Sequence, residues 1–133
     1  MTRWGVLLFC VTLCASALAE TTVSGHDDLV HATVLTDLSR LPLNEIHTWR
    51  VRLQNDDGEP VSGVAVSVLG GMPMHDHGLP TEPVATEVEP GLFEIQGVRL
   101  HMHGHWELTL EIRDSEASDA ADLLDSVTVK FEL

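Results

Sequence analysis

Apolar and polar residues alternate along most of this chain at the two-residue period of a β-strand, not the 3.6-residue period of a helix. The alternation predicts strands over 29–37, 45–55, 61–71, 83–88, 92–98, 105–113 and 126–133. Within 45–55, Trp49, Val51 and Leu53 point one way while Thr48, Arg50 and Arg52 point the other, as expected of a sheet with one wet face. In 61–71, Val64, Val66 and Val68 fall in register. The 105–113 segment is the cleanest: Trp106, Leu108, Leu110 and Ile112 face inward, and Glu107, Thr109, Glu111 and Arg113 outward. Val127, Val129 and Phe131 form the inner row of the last strand.

Turn signals separate these runs. Residues 55–60, NDDGEP, supply Asp and Gly for a reversal, and Pro90-Gly91 joins 83–88 to 92–98 as a hairpin. Residues 114–125 read as an acidic connection with room for a short helical turn. Short strands at this spacing, with no long amphipathic stretch, predict an all-β fold: an immunoglobulin-like antiparallel β-sandwich of about seven strands. It occupies 29–133 as one domain, preceded by a flexible N-terminal segment at 20–28.

The first nineteen residues belong to a different pattern. Arg3 precedes an apolar run from Val6 to Leu18, and Ala17-Leu18-Ala19 places small residues where a signal peptidase reads, so 1–19 is expected to be a cleavable export signal. The run falls short of the ~20 apolar residues a membrane span needs, so no membrane insertion is expected after cleavage. Cys10 follows Phe9 and Cys14 follows Leu13, which excludes a lipoprotein site. Both cysteines leave with the leader. The exported domain is thus expected in the periplasm or another extracytoplasmic space, held by its core alone and without a disulfide.

Charge narrows the partners. Seven Lys and Arg stand against 21 Asp and Glu, a formal charge of −14 at pH 7. Such a surface repels nucleic acid and anionic lipid and attracts cations.

The candidate chemistry lies in two short windows, MPMHDHG at 72–78 and LHMHGHW at 100–106. They hold five of the eight histidines and every methionine after Met1. Imidazole and thioether share one chemical role, donating a lone pair to a soft or borderline metal. The pairing of Met with His, without Cys, points to copper, Cu(I) above all. Zinc is second, with two histidines and a carboxylate such as Asp76. The candidate ligands are Met74, His75, His77 and Met102, with His101, His103, His105 and Met72 as additional or alternative donors. Met72 and Met74 sit beside Pro73 in an expected loop, where core packing is less natural, and Met74, next to His75, is the stronger candidate of the two. If 101–105 stays extended, His101, His103 and His105 share one face and Met102 the other, unless Gly104 bulges the strand. Trp49 and Trp106 are expected in the core, and His26, His31 and His47 as surface or packing residues.

The order GMPMHDHG, then the hairpin PGLFEIQGV, then MHGHWEL resembles the YtkA-like and FixH-like family of exported immunoglobulin-like domains. The family carries Met-Pro-x-His-x-His in one loop and Met-x-Gly-x-Trp in a later strand, here Met72, Pro73, His75, His77 and Met102, Gly104, Trp106. The resemblance spans about residues 30 to 133 and implies an extracytoplasmic β-sandwich associated with oxidase assembly or copper handling. The chain is also similar to periplasmic copper chaperones that pair methionine and histidine across a sandwich. His101, His103 and His105 enrich the family pattern.

The expected function is a periplasmic copper-binding protein, a carrier or an accessory in metalloenzyme assembly, with a copper-dependent oxidase or its assembly factors as partners. The alternative is a structural module that docks onto a membrane protein, with metal incidental; a zinc or nickel buffer is a third. An enzyme is not expected. There is no Gly-x-Ser-x-Gly nucleophile motif, the cysteines leave with the leader, and Glu20, not histidine, begins the mature chain.

Overall fold

The computed structural model describes residues 20–116 and 122–133. The expected leader at 1–19 and the centre of the acidic connection fall outside them. Among the described residues, nine strands form two antiparallel sheets: β1 (Thr21–Ser24), β2 (His31–Val34), β3 (His47–Gln54), β4 (Val64–Met72), β5 (His77–Gly78), β6 (Val84–Glu89), β7 (Leu92–Val98), β8 (His105–Asp114) and β9 (Leu123–Glu132). One sheet runs β1-β2-β3-β7-β6 and the other β5-β4-β8-β9. The immunoglobulin-like sandwich predicted from the alternation is the fold observed.

The inner rows meet as predicted. Trp49, Val51 and Leu53 of β3 are buried against Trp106, Leu108, Leu110 and Ile112 of β8 and against Val127, Val129 and Phe131 of β9. Trp49 and Phe131 touch across the sheets, with ring centroids 5.2 Å apart. Each such side chain contributes about 1.5–3 kcal/mol by leaving water. Val64, Val66 and Val68 of β4 pack at the margin of this core, partly buried.

Three features differ from the sequence reading. Nine strands replace about seven, because β1 forms inside the segment read as a flexible lead-in and the two-residue β5 forms inside the loop after β4. Thr21–Ser24 carries one apolar residue, too few for an alternation signal, yet it pairs with β2, where the Thr22 and Thr33 hydroxyls meet at 3.0 Å. Strand β9 also starts earlier than expected, at Leu123, so the end of the acidic connection is strand; its centre, where a helical turn was expected, lies outside the described residues.

The third difference is Asp125, which reads in sequence as one more solvated acid and is fully buried. Its carboxylate accepts the backbone N–H groups of Asp27, Leu29 and Val30, each at 3.0 Å, and that of Ser126 at 2.7 Å. This bonds the β1–β2 turn of one sheet to β9 of the other. Gly25 is required there, because a Cβ on it would collide with the carboxylate. Burial pushes the Asp125 carboxyl up, but the N–H bonds from Asp27, Ser126, Val30 and Leu29 outweigh it and leave it below the ordinary carboxylate value.

Asp125→Ala is expected to cost about 3 kcal/mol of stability, since removing the acceptor strands the buried Val30 N–H and three part-buried N–H groups. A folded-state value below the unfolded one means the ionised group stabilises the fold above the unfolded carboxyl's 3.8, and that contribution is lost as pH falls below it. Denaturant melts of the two proteins should therefore differ at neutral pH and converge in acid. Gly25→Ala should destabilise with the same pH dependence, because it displaces the same carboxylate.

Candidate functional site

One end of the sandwich is built from three connections: 35–46 between β2 and β3, 73–76 between β4 and β5, and 99–104 between β7 and β8. Leu43 and Leu100 form an isolated parallel bridge, the Asn44 N–H donates to the Leu100 carbonyl at 2.7 Å, and Arg99 Nη2 donates to Asn44 Oδ1 at 2.7 Å. These bonds hold the first and third segments together.

The loop between β4 and β5 is folded by its own sequence. Pro73 opens a 3-10 turn over Pro73–His75, for which its fixed φ is suited. Asp76 closes the turn in the left-handed region, φ 52° and ψ 39°, a conformation aspartate tolerates. The reversal sends His77 and Gly78 back along Met72 and Gly71 as β5. His75 and His77 end up with near-parallel rings, centroids 6.4 Å apart.

Residues 102–104 form a bend, so the segment does not stay extended and the condition for His101, His103 and His105 to share one face is not met. Strand β8 begins only at His105, after Gly104 at φ 132°. The buried Trp106 fixes the bend by donating its indole Nε1 to the Met102 carbonyl at 3.0 Å. Gly104 lies over the Met72 side chain: a Cβ there would meet Met72 Cε at 2.9 Å.

The two windows do meet. His77 and His101 stand edge to face with centroids 6.1 Å apart, and His101 stands edge to face on Trp106 at 5.5 Å. His75, His77, His101 and Trp106 thus form a continuous row. Met74 is 81% exposed and Met102 36% exposed at the same end. His103 is exposed on the bend.

Two expected donors occupy other positions. Met72, read as a loop residue, is the last residue of β4 and is fully buried, because the strand runs past Gly71 to pair with His77. It forms the floor beneath Gly104. His105 is turned to the outer face by the alternation that buries Trp106. There its Nδ1 is 2.8 Å from Glu132 Oε1 and its Nε2 3.5 Å from Glu107 Oε1, and Lys130 Nζ sits 3.1 Å from Glu107. Lys130, with His105, holds the Glu107 carboxyl below its ordinary value.

Of the other histidines, His26 is exposed, and His31 and His47 are engaged elsewhere. His47 Nε2 accepts from the Trp49 indole at 3.0 Å, and His31 sits between Ser24 and Asp56.

The sequence reading did not anticipate the cavity beside this row. About 340 Å³ in volume, it is lined by Gly70, Gly71, Met72, Pro73, Asp76, His77, Gly78, Glu107 and Thr109. The Gly-Gly pair before Met72 is the sequence signal for it, since two residues without side chains leave a recess in a strand.

Chemically, the row is close to a ligand set without being closed into one. Among the described residues, no three His, Cys, Asp or Glu side chains converge as a metal site. Two imidazoles on one tetrahedral ion place their ring centroids about 5 Å apart, so His77 and His101 would have to close by roughly an ångström to share one. His101 Nδ1 is buried and has no hydrogen-bond partner among the described residues. An orphaned buried nitrogen costs about 1–3 kcal/mol until something pairs with it.

Fold and site together define an antiparallel β-sandwich that displays histidine and methionine at one end. The chain belongs to the YtkA-like family, whose model matches residues 38–111, a span containing both windows. No curated protein sequence matches the chain. Among solved structures, it is similar to the ZirS C-terminal domain at 15% identity and a TM-score of 0.44, covering 99% of this chain and 80% of that one.

Gly104→Ala is expected to lower stability by about 1–2 kcal/mol, combining a disfavoured φ with contact on Met72. Trp106→Phe keeps an aromatic side chain but is smaller and removes the indole bond to Met102. Beyond a general loss of stability from the space left in the core, its expected signature is faster amide exchange that is largest at 101–104.

Proposed function

We propose that this rim binds one copper ion, Cu(I) in preference, and that the protein is a carrier or metalloenzyme-assembly accessory acting outside the cytoplasm. The observation that carries the reading is the unpartnered, buried Nδ1 of His101, whose ring stands against that of His77, with the exposed Met74 and Met102 in the same two segments. His77 and His101 are the central donors, His75 extends the row, and Met74 and Met102 supply the soft component that favours Cu(I) over zinc. His103 is an alternative donor. Met72 supports the site from below, and His105 is withheld by its carboxylate partners.

A carrier must hold its ion and still release it. Donors on an exposed turn and a bend can be exchanged one at a time, and a copper-dependent oxidase or its assembly factors are the fitting recipients. Zinc is the second choice of metal, since Asp76 and His77 line the same cavity. A different reading, docking onto a membrane protein partner with metal incidental, draws support from Leu43 and Ile46, 40% and 69% exposed at the same end.

Competition of the leaderless protein against a Cu(I) chelator tests the proposal. Met74→Leu combined with Met102→Leu, and separately His101→Ala, should each weaken Cu(I) binding at least as much as loss of an outer-shell partner does, about ten- to a hundredfold. Affinity should also fall on acidification, because imidazole binds metal only when neutral. Zinc affinity should respond to His101→Ala and not to the methionine changes. Equilibrium dialysis that retains neither metal would leave the docking account standing.

A further inference from the structure

A sheet edge is a row of unpaired N–H and C=O groups, and proteins close such rows with charge, proline, bulges or a covering segment. Most edges here are closed. β1 is only four residues long. β6 lies between Pro83 and Pro90, carries Glu87 and Glu89, and shifts register between them. β9 carries Asp125, Lys130 and Glu132, and the β1–β2 turn covers its start, with the His26 N–H on the Ser126 carbonyl at 2.8 Å.

β4 is different. β5 covers it at Gly71 and Met72, and Leu79 just beyond β5 engages Gly70, so Val64 to Leu69 form the open edge. The Leu79 N–H reaches the Gly70 carbonyl from outside at 3.0 Å, which shows which way Gly70 faces. The N–H and C=O of one antiparallel residue point to the same side, so Val66 and Val68 face outward as Gly70 does. Among the described residues, their backbone groups meet no partner on that side.

The strand itself, VAVSVLGGM, contains neither charge nor proline in a chain with 21 acidic residues. Leu69 is 53% exposed and, with Val68, Leu79 and Glu82, lines a groove of about 220 Å³. Acids outnumber bases around this neutral strip: on β8 Glu111 stands opposite Ser67 and Glu107 opposite Gly71, with Arg113 opposite Ala65, while on the open side Glu82 lines the groove and Glu87 lies on β6.

We propose that the β4 edge receives an extended segment of a partner protein as an added strand, apolar at alternate positions and flanked by lysine or arginine. Backbone pairing supplies the affinity, as in other strand additions, and the acidic surround selects a cationic segment. A second copy of this chain fits poorly, since it brings the same charge of −14 within a Debye length of its like. Gly70 lines both this groove and the cavity at His77, so the docking edge leads to the rim. The inference is independent of the copper reading.

The test uses the leaderless protein and two synthetic peptides with the same alternating Val/Thr core, one flanked by Lys and the other by Glu, followed by amide hydrogen exchange. The Lys-flanked peptide should slow exchange at Val66 and Val68 by about tenfold or more, as local pairing does, and the Glu-flanked one should not. Val66→Pro removes an outward N–H at an edge position where proline is tolerated, and should abolish the protection. Ser67→Lys, an exposed change that leaves the backbone intact, should weaken it by charge alone. Lack of protection by either peptide at millimolar concentration, or equal protection by both, would overturn the proposal. So would peptide-independent protection that rises with protein concentration alongside dimer formation.

Discussion

The indole hydrogen bond from Trp106 to the Met102 carbonyl makes the rim a consequence of the core. Trp106 is fully buried among the side chains that join the two sheets, so its ring position is set by packing. Its Nε1 must find an acceptor, and the Met102 carbonyl provides it at 3.0 Å. That one bond turns 102–104 into a bend, stands His101 on the indole edge and brings it to His77. Met72 completes the arrangement from the other window, its methyl under Gly104. At the far end of the sandwich, Asp125 does a comparable job with a carboxylate, drawing the N–H groups of the β1–β2 turn onto β9. A sandwich without a disulfide among its described residues is thus tied near both ends by a buried polar group whose bonds are satisfied.

Charge is distributed to suit this plan. Acidic side chains with an identified role are paired or bonded: Glu107 with Lys130 and His105, Glu111 with Arg113, Glu87 with the N–H groups of Gly63 and Gly91. The Glu107 cluster also decides which histidines face the rim. By engaging His105 on the outer face it separates that imidazole from His101, although the two are four residues apart. Alternation along β8 and the ion pair act in the same direction, and the row of rings is consequently drawn from two windows instead of being a cluster along one strand.

The fold was legible wherever burial is periodic. β7 appears at the boundaries its alternation predicts, and β3 and β8 lie within a residue or two of theirs, because the same Trp, Val, Leu and Ile positions that alternate in sequence are those that fill the core. β1 was hidden, since Thr21, Thr22 and Ser24 pair by backbone and hydroxyl with only Val23 half-buried. The role of Asp125 was hidden for a related reason: an acid becomes a buried strut only when donors from residues far away in sequence surround it. At the site, the meeting of the two windows was readable from their places in a sandwich, one after a strand and one before another at the same end, while the division of labour within them was not. Met72 and Met74 look alike in sequence, yet one ends a strand and is fully enclosed and the other begins a turn and is open to solvent. That division depends on where β4 stops, which is set by its pairing with β5.

The gap between a row of rings and a closed ligand set bears on what such a rim is suited to do. A fully preorganised cage holds its ion tightly and exchanges it slowly, because every donor is locked by packing. Here the side chains of the row differ in how they are held. His101 is held against Trp106 by the core, His77 by the short β5 pairing, and Met74 and His75 only by an exposed 3-10 turn. On the copper reading, this gradient orders the exchange: loosely held donors let go first while His101, with its otherwise orphaned nitrogen, retains the ion until a partner's ligand replaces the others. The cost of leaving that nitrogen unpaired in the empty protein then contributes to the affinity of the loaded one, and the rigid side of the site is the side that the core builds.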